Sequence, residues 1–250
     1  MSNFFQYFPR TFYNFGEETT NDVFQNIAIY ADVIDQVKDE RSSYVDYTII
    51  ENERPDQTSY KLYNTPDYHW TFYLLNDKLR EQGWPITRKL VLEKAKKLYP
   101  NTVLNTRSNL GALKGFFKTG DIITGRSSGA TATIIHRRLD LGQLIINKIN
   151  NGPFIGGESL DVGGTDNTIT INTIVEEYNS AHHYEDGNKL VTDLGFDPTT
   201  GTLNAPGGLL TEITFLERLH NQNDNLKQIR VLKPDVAKQI VDAFREAVGN

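Results

Sequence analysis

Apolar residues along this chain follow helical spacing in some stretches and strand alternation in others. Between Arg54 and Trp84 the spacing is helical, and it predicts two short helices packed inner face to inner face. Tyr60 and Tyr63 fall three apart on the first; Trp70, Tyr73 and Leu74 form the stripe of the second. Tyr60, Tyr63 and Trp70 are therefore expected in the core between them. Pro55 suits a first helical position, where its missing N–H would be unpaired anyway. Thr65-Pro66-Asp67 repeats that start signal with a hydroxyl cap, a proline and an acid, and Asn76-Asp77 closes the second helix.

Four more helices are expected. Thr20-Asn21-Asp22 caps one that carries Val23, Phe24, Ile27, Ile34 and Val37 and ends near Arg41. Thr87 caps another, with Leu90, Val91, Leu98 and Tyr99, which Pro100 stops. Leu209 to Leu219 reads as a third, with Leu209, Ile213, Leu216 and Leu219 on one stripe. Lys233-Pro234-Asp235 opens the last, where Val236, Ile240, Phe244 and Val248 recur every four residues. That stripe drifts around the helix, which suits covering a groove.

From Gly115 to Ile171 the pattern changes to the Gly, Thr, Ser, Ile and Val of strands and turns. A repeat with a 37-residue period runs through it without a gap. Gly115, Phe117, Gly120, Asp121, Ile123, Thr131, Thr133 and Ile134 recur as Gly152, Phe154, Gly157, Glu158, Leu160, Thr168, Thr170 and Ile171. Each copy reads as strand, tight turn, strand, and Gln143 to Lys148 supplies a further strand between them. Two hairpins and a linking strand can close a small barrel or sandwich of five or six strands. Glu176 to Pro206 then reads as a loop-rich return.

Tyr44 to Ile50 is aromatic and β-branched enough to be a strand. Strand, helix, helix, then Trp and Asn at this spacing resembles the LysM module. It more nearly resembles one variant of that module, found in the gene fifty-three type baseplate wedge subunit of contractile-tailed phages. The positions that carry the likeness are Arg54-Pro55, Tyr60 to Tyr63, Tyr68-His69-Trp70 and Asn76-Asp77, and later Asn223 to Arg230. It covers about Tyr44 to Tyr99 and Glu176 to Val248, and leaves the β insertion outside. A LysM module needs a second strand antiparallel to its first, and nothing strand-like closely follows Asn76. Gln228 to Leu232 is expected to be that strand, paired with Tyr44 to Ile50.

The expected fold class is thus α+β: a LysM-like helical, two-strand core with added helices and an inserted all-β barrel- or sandwich-like domain. The expected segments are an aromatic arm (1–19), the first part of the core (20–110), the β insertion (111–175) and the return to the core (176–250). The resemblance implies a structural protein of the virion tail baseplate, assembled in the host cytoplasm. Its partners would be other wedge subunits, including sheath-initiator-like and core wedge-bundle proteins, in multiple copies around a symmetric baseplate.

Composition narrows the classes further. The chain has 250 residues, no cysteine, a net charge of −6, and 13 Phe and 12 Tyr against 38% hydrophobic residues. Disulfide and thiol chemistry are excluded. The acidic balance argues against nucleic-acid binding. No run approaches the apolar length that crosses a bilayer, and the start lacks a signal peptide's basic and aliphatic pattern, so no membrane role is expected. The first fifteen residues hold Phe4, Phe5, Tyr7, Phe8, Phe12, Tyr13 and Phe15 in no regular period. So many rings suit an arm that docks on another subunit. Phe4, Phe5, Tyr7 and Phe8, with Val236, Ile240 and Phe244 of the last helix, are the candidate subunit contacts.

Candidate chemistry is sparse, and the chain reads as non-enzymatic. His182-His183 with Glu185 and Asp186 has metal-ligand residue types, but neighbouring side chains diverge in regular structure and the spacing matches no metal motif. His69, His136 and His220 lie in unrelated contexts. Glu51 and Glu53 could suggest a carboxylate pair, yet nothing fixes a general acid beside them. Gly156-Gly157 and Gly163-Gly164 belong to hairpins, and no phosphate loop or dinucleotide fingerprint occurs. No metal, cofactor or catalytic residue is therefore assigned. The alternative function is a LysM-type module that binds peptidoglycan or chitin. Its groove would be lined by Glu51 to Arg54 and Asn76 to Gly83, which are charged rather than small and neutral.

Overall fold

The computed structural model describes residues 10–13, 22–25, 41–106, 115–164 and 166–249. In chain order the elements are β1 (Arg10–Tyr13), β2 (Asp22–Gln25), β3 (Tyr44–Thr48), α1 (Pro55–Tyr63), α2 (Thr71–Leu75), α3 (Asp77–Gln82) and α4 (Arg88–Leu98). Six strands follow: β4 (Thr102–Thr106), β5 (Ile122–Gly125), β6 (Thr131–Arg138), β7 (Gln143–Ile146), β8 (Ser159–Val162) and β9 (Thr168–Glu176). Then come β10 (Ala181–Glu185), β11 (Val191–Thr192), β12 (Thr211–Thr214), α5 (Phe215–Lys227), β13 (Gln228–Leu232) and α6 (Pro234–Gly249). The fold is mixed α and β. The chain divides into two compact units, Met1–Thr87 with Gln222–Asn250, and Arg88–Asn221.

In the first unit β3 and β13 pair antiparallel without a slip, from Tyr44↔Leu232 to Thr48↔Gln228. This is the expected pairing across the insertion. Ile49, Phe72, Leu79, Leu226, Ile229 and Val231 are buried on it, with Tyr63, Tyr73 and Trp84 packed around them. Helix α1 starts as its sequence predicts: Pro55 takes the first position, and the Arg54 N–H donates to Gln57 Oε1 at 3.1 Å. Trp70 is buried, and Tyr63 is half-buried with its hydroxyl donating to Leu232 O at 3.0 Å. Tyr60 departs from the expectation and is 62% exposed. The inward face of α1 is Thr58, Ser59, Leu62 and Tyr63, where small hydroxyl residues let the helix approach closely, so Tyr60, turned about 100° round the helix beyond Ser59, points outward.

Two asparagines of the motif join distant backbones. Asn76 Nδ2 donates to Phe72 O (2.7 Å) and Arg230 O (2.8 Å), while its Oδ1 accepts from Arg230 N (2.8 Å). Asn223 does the same for Ile86, accepting from its N–H at 2.8 Å and donating to its carbonyl at 2.9 Å. Neither bridge could be made by a residue with only a donor or only an acceptor.

The helix expected from Thr20 is not present where it is described. Asp22–Gln25 is instead a strand, antiparallel to Arg10–Tyr13, with Thr11 opposite Phe24 and Phe12 opposite Val23. The aromatic and β-branched residue types of both segments favour strand over helix.

The second unit is built on a closed six-stranded barrel of order β4-β7-β6-β5-β8-β9. Leu104, Phe117, Ile123, Ile134, Leu144, Ile146, Leu160 and Ile171 are buried inside it. The sequence repeat is visible in its hydrogen bonds. Gly120 N donates to Ile134 O (2.8 Å) as Gly157 N does to Ile171 O (2.9 Å), and both glycines have φ near +90°, at +95° and +86°. Lys118 N donates to Asp121 Oδ2 (2.8 Å) as Ile155 N does to Glu158 Oε1 (2.6 Å).

The strand registers carry the equivalence all the way round. β5 and β8 cross at Thr124↔Asp161, which are repeat equivalents, with Ile123↔Val162 and Gly125↔Leu160 on either side. On the opposite wall β4 and β7 cross at Leu104↔Leu144. β6 is irregular between Ile134 and His136, and β9 is irregular at the matching place, between Ile171 and Thr173. A pseudo-twofold axis therefore relates β5 to β8, β6 to β9 and β7 to β4. In the first copy the third strand follows its hairpin, whereas in the second it precedes both copies. That permutation hides β4 from a search for the repeat.

Beyond the barrel, β10 is the middle strand of a three-stranded sheet ordered β11-β10-β12. The return is thus less loop-rich than its composition suggests. The helix expected from Leu209 begins at Phe215, because Thr214 and Glu217 form a reciprocal capping box: Glu217 N donates to Thr214 Oγ1 (3.1 Å) and Thr214 N to Glu217 Oε2 (2.8 Å). Leu209 is 87% exposed, and Thr211–Thr214 is strand. On α4 the buried positions are Val91 and Ala95, whereas Leu90 and Leu98 are exposed.

Candidate functional site

The loop after β3 and the outer face of α1 enclose a cleft of about 660 Å³, lined by Ile50, Asn52, Glu53, Gln57, Tyr60 and Lys61 among others. The Glu53 side chain is buried against it. Oε2 accepts from Tyr47 OH and Ile50 N, both at 3.3 Å, and Oε1 is held by an ion pair to Lys61 at 2.7 Å and has no other hydrogen bond. The Glu53 carbonyl accepts from Trp84 Nε1 at 2.7 Å, which ties the loop to the core. Burial, then the charge of Glu53, raises the Tyr47 hydroxyl above its usual range; the hydrogen bond to Glu53 raises Lys61. Glu53 is thus engaged in holding the loop, and Glu51 beside it is exposed. The Tyr60 ring is exposed in this cleft.

A second cleft of about 560 Å³ lies at the start of β13 and the end of α2, lined by Asp46, Asn76, Asp77, Lys78, Asn225 and Arg230 with apolar neighbours. Arg230 lies over the Tyr44 ring at 5.0 Å. Asp77 pairs with Arg80 one turn along α3. Both clefts lie beside the loops expected to form a glycan groove in a LysM-type module. Their linings mix acids, bases and amides.

Of the candidate contacts, Val236 and Ile240 are half-buried and pack with Tyr44, Tyr63 and Tyr68 around Leu75, Leu232 and Ala237. Phe4, Phe5, Tyr7 and Phe8 lie outside the described residues, as does the side chain of Phe244.

The adjacent histidines behave differently from the expectation. The β10–β12 register shifts between Ala181 and His183, and this bulge turns the two rings toward each other. His182 Nδ1 lies 2.7 Å from His183 Nδ1, and His183 Nε2 lies 2.9 Å from Glu185 Oε1. The His182 ring is also edge-on to Phe215 at 4.9 Å, and the Arg138 guanidinium lies over that phenylalanine at 5.4 Å. Burial, with Arg218, Arg138 and His183 adding to it, lowers His182 to about 4. Neutral at ordinary pH, it shares a hydrogen bond with His183 in a packed cluster. Among the described residues no three His, Cys, Asp or Glu side chains are grouped to hold a metal ion.

Sequence reasoning missed the exposure of Tyr60 and the convergence of His182 and His183. The first follows from the small residues at Thr58 and Ser59, which were a readable signal. The second depends on a bulge that residue types do not announce. No family model matches the chain, and no curated protein matches it.

Proposed function

We propose that this protein is a structural component of a contractile-tail baseplate wedge, joining neighbouring wedge subunits through a LysM-like core and extended termini. The observation that supports the reading is the antiparallel β3–β13 pair with residues of α1, α2 and α3 packed on it, the combination of a strand pair and short helices that such a core needs. The motif residues support it by their roles. Asn76 and Asn223 join backbones, and Tyr63 and Trp70 are core, so the sequence likeness tracks architecture rather than a reaction. The clustered histidines and the Glu53–Lys61 pair are likewise engaged in packing and loop closure. In this role the aromatic arm and the last helix contact other wedge subunits in the virion tail, with no cofactor and no nucleic acid.

Purified protein mixed with the co-encoded baseplate proteins should co-elute with at least one of them in size-exclusion chromatography with light scattering. Deletion of residues 1–15 should abolish the complex. Failure to form any complex would remove the reading.

A second reading, binding of N-acetylglucosamine polymers, is favoured by one observation: Tyr60 is exposed in a cleft that also presents Asn52 and Gln57. An open ring beside amides is the usual surface for stacking a sugar. Saturable binding of a chitin oligomer, lost in Tyr60→Ala, would favour it over the first.

A further inference from the structure

The second unit contains a cavity of about 280 Å³, lined by β4, β7 and β9 of the barrel on one side and by β10, β12 and the 194–206 loop on the other. Its apolar lining comes from Leu141, Leu194, Leu203, Pro206 and the Tyr184 ring. Its polar lining is almost wholly amide and hydroxyl. Asn105 Nδ2 donates to Thr173 Oγ1 (2.8 Å), Asn204 Nδ2 to Leu194 O (3.1 Å), and Tyr184 OH to Glu212 Oε2 (3.4 Å). Gln143 is 2% exposed; its Nε2 donates to Ala181 O at 3.2 Å and its Oε1 has no partner among the described residues. Among the described residues no lysine, arginine or histidine lines the space.

Each feature excludes a ligand class. Without a basic side chain, a phosphate or carboxylate would enter uncompensated. A purely apolar guest would leave the Gln143 carbonyl unpaired, at a cost to its affinity. What remains is a neutral molecule with hydroxyl donors around its edge and an apolar face. The volume lies just under the roughly 300–1,000 Å³ of drug-sized sites, which admits one ring rather than a chain. We infer that this cavity is a binding site for a single neutral sugar ring. The ring's apolar face lies on Tyr184 and Leu194, and its hydroxyls lie at Gln143, Asn105, Asn204 and Glu212. This assignment is independent of the wedge role and of the Tyr60 cleft; any one can fail without the others.

Saturation-transfer NMR on the full chain tests it, with the methyl glycosides of glucose, galactose, mannose and N-acetylglucosamine as probes and cyclohexanol as an apolar ring of similar size. At least one glycoside should bind saturably, and more tightly than cyclohexanol. Glu212→Ala removes an exposed acceptor, and Ala205→Trp fills the mouth from an exposed position. Each should weaken binding by about tenfold or more. Tyr60→Ala, in the other unit, should leave it unchanged. The inference is overturned if no glycoside gives saturation transfer, if cyclohexanol binds as well as the best glycoside, if neither cavity variant changes the affinity, or if Tyr60→Ala alone abolishes it.

Discussion

Replacing Glu158 by glutamine keeps the length of the side chain and removes its charge, at a position that is 5% exposed. In the native barrel its Oε1 accepts from Ile155 N (2.6 Å) and Ser128 Oγ (3.0 Å), and its Oε2 from Ser127 N (3.2 Å) and Ser128 N (3.0 Å). A glutamine can satisfy one of those two sets with its carbonyl oxygen. Its NH₂ group must then face the other set, donor against donor. Hydrogen bonds to a charged group contribute about 1.5–3 kcal/mol each and a buried unmet donor costs about 1–3, but they share one site and do not add fully; about 3 kcal/mol is expected. At its repeat equivalent, Asp121 accepts from Lys118 N and is half-exposed, so Asp121→Asn should cost under about 1 kcal/mol.

Both tryptophans, Trp70 and Trp84, lie in the first unit, so fluorescence is blind to the barrel. Hydrogen exchange read by mass spectrometry is the suitable assay, on peptides that contain Ile134, Gly157 and Ile171. Glu158→Gln should speed their exchange by about two orders of magnitude, and Asp121→Asn by less than about tenfold. Equal effects at the two positions, or no effect at Glu158, would refute the reasoning. Acid provides a second handle. Burial pushes the Glu158 carboxyl up, but its hydrogen bonds to Ile155, Ser128 and Ser127 outweigh that and leave it below the usual range. The group therefore contributes stability above its unfolded pKa, and that contribution is lost as the pH falls through its folded value. Glu158→Gln should remove this part of the acid sensitivity.

Gly142 sits at φ +63° with the position of a Cβ 2.3 Å from Thr106 O, so Gly142→Ala should destabilise the β4–β7 wall by about 2–4 kcal/mol, read by the same exchange experiment. Asn76→Ala removes two hydrogen bonds to Arg230 of β13 and one to Phe72 of α2; urea unfolding followed by Trp fluorescence should show about 2–3 kcal/mol lost from the first unit. His182 is lowered to about 4, so the unfolded chain takes up its proton first as the pH drops below its ordinary value of about 6.5. Stability should therefore decline between about pH 6.5 and 4, by about 1–2 kcal/mol after allowance for partial exposure, and His182→Gln should flatten that decline in thermal melts against pH.

Features that depend on local chemistry were legible in the sequence. Pro55 and the proline before Asp235 mark helix starts that the structure contains. The Gln228 to Leu232 strand is legible because the resemblance asks for a partner to Tyr44 to Ile50, a requirement of pairing rather than of propensity. The barrel hairpins were legible because glycine, aromatic and acid recur at one fixed offset. What sequence could not convey depends on tertiary placement. β4 carries no repeat residues, and its role emerges from register alone. The capping box at Thr214 and Glu217 competed with a leucine stripe that began too early, and the specific hydrogen bonds prevailed. Of the candidate sites, the acids of the Glu53 loop are visible in the sequence, but the spacing of Tyr60 beside it suits a core position that the exposed ring does not take. The unpaired amide oxygen of Gln143 is a property of its surroundings and has no sequence signal.

The Asn223–Ile86 bridge joins residues 137 positions apart in sequence. Closing a flexible loop of that length costs about 4 kcal/mol of chain entropy on the logarithmic scaling of loop closure, against about 2 kcal/mol for a loop of ten residues. The intervening unit is folded, and the aromatic rings of Tyr99 and Phe215, near its two chain crossings, are 4.4 Å apart. Once that unit has formed, the first unit closes a short tether instead of a long one. Folding order and stability are then coupled without any surface contact having to carry the coupling. A mutation that unfolds the barrel raises the entropic cost of forming the β3–β13 pair by about 2 kcal/mol, although it touches no residue of that sheet.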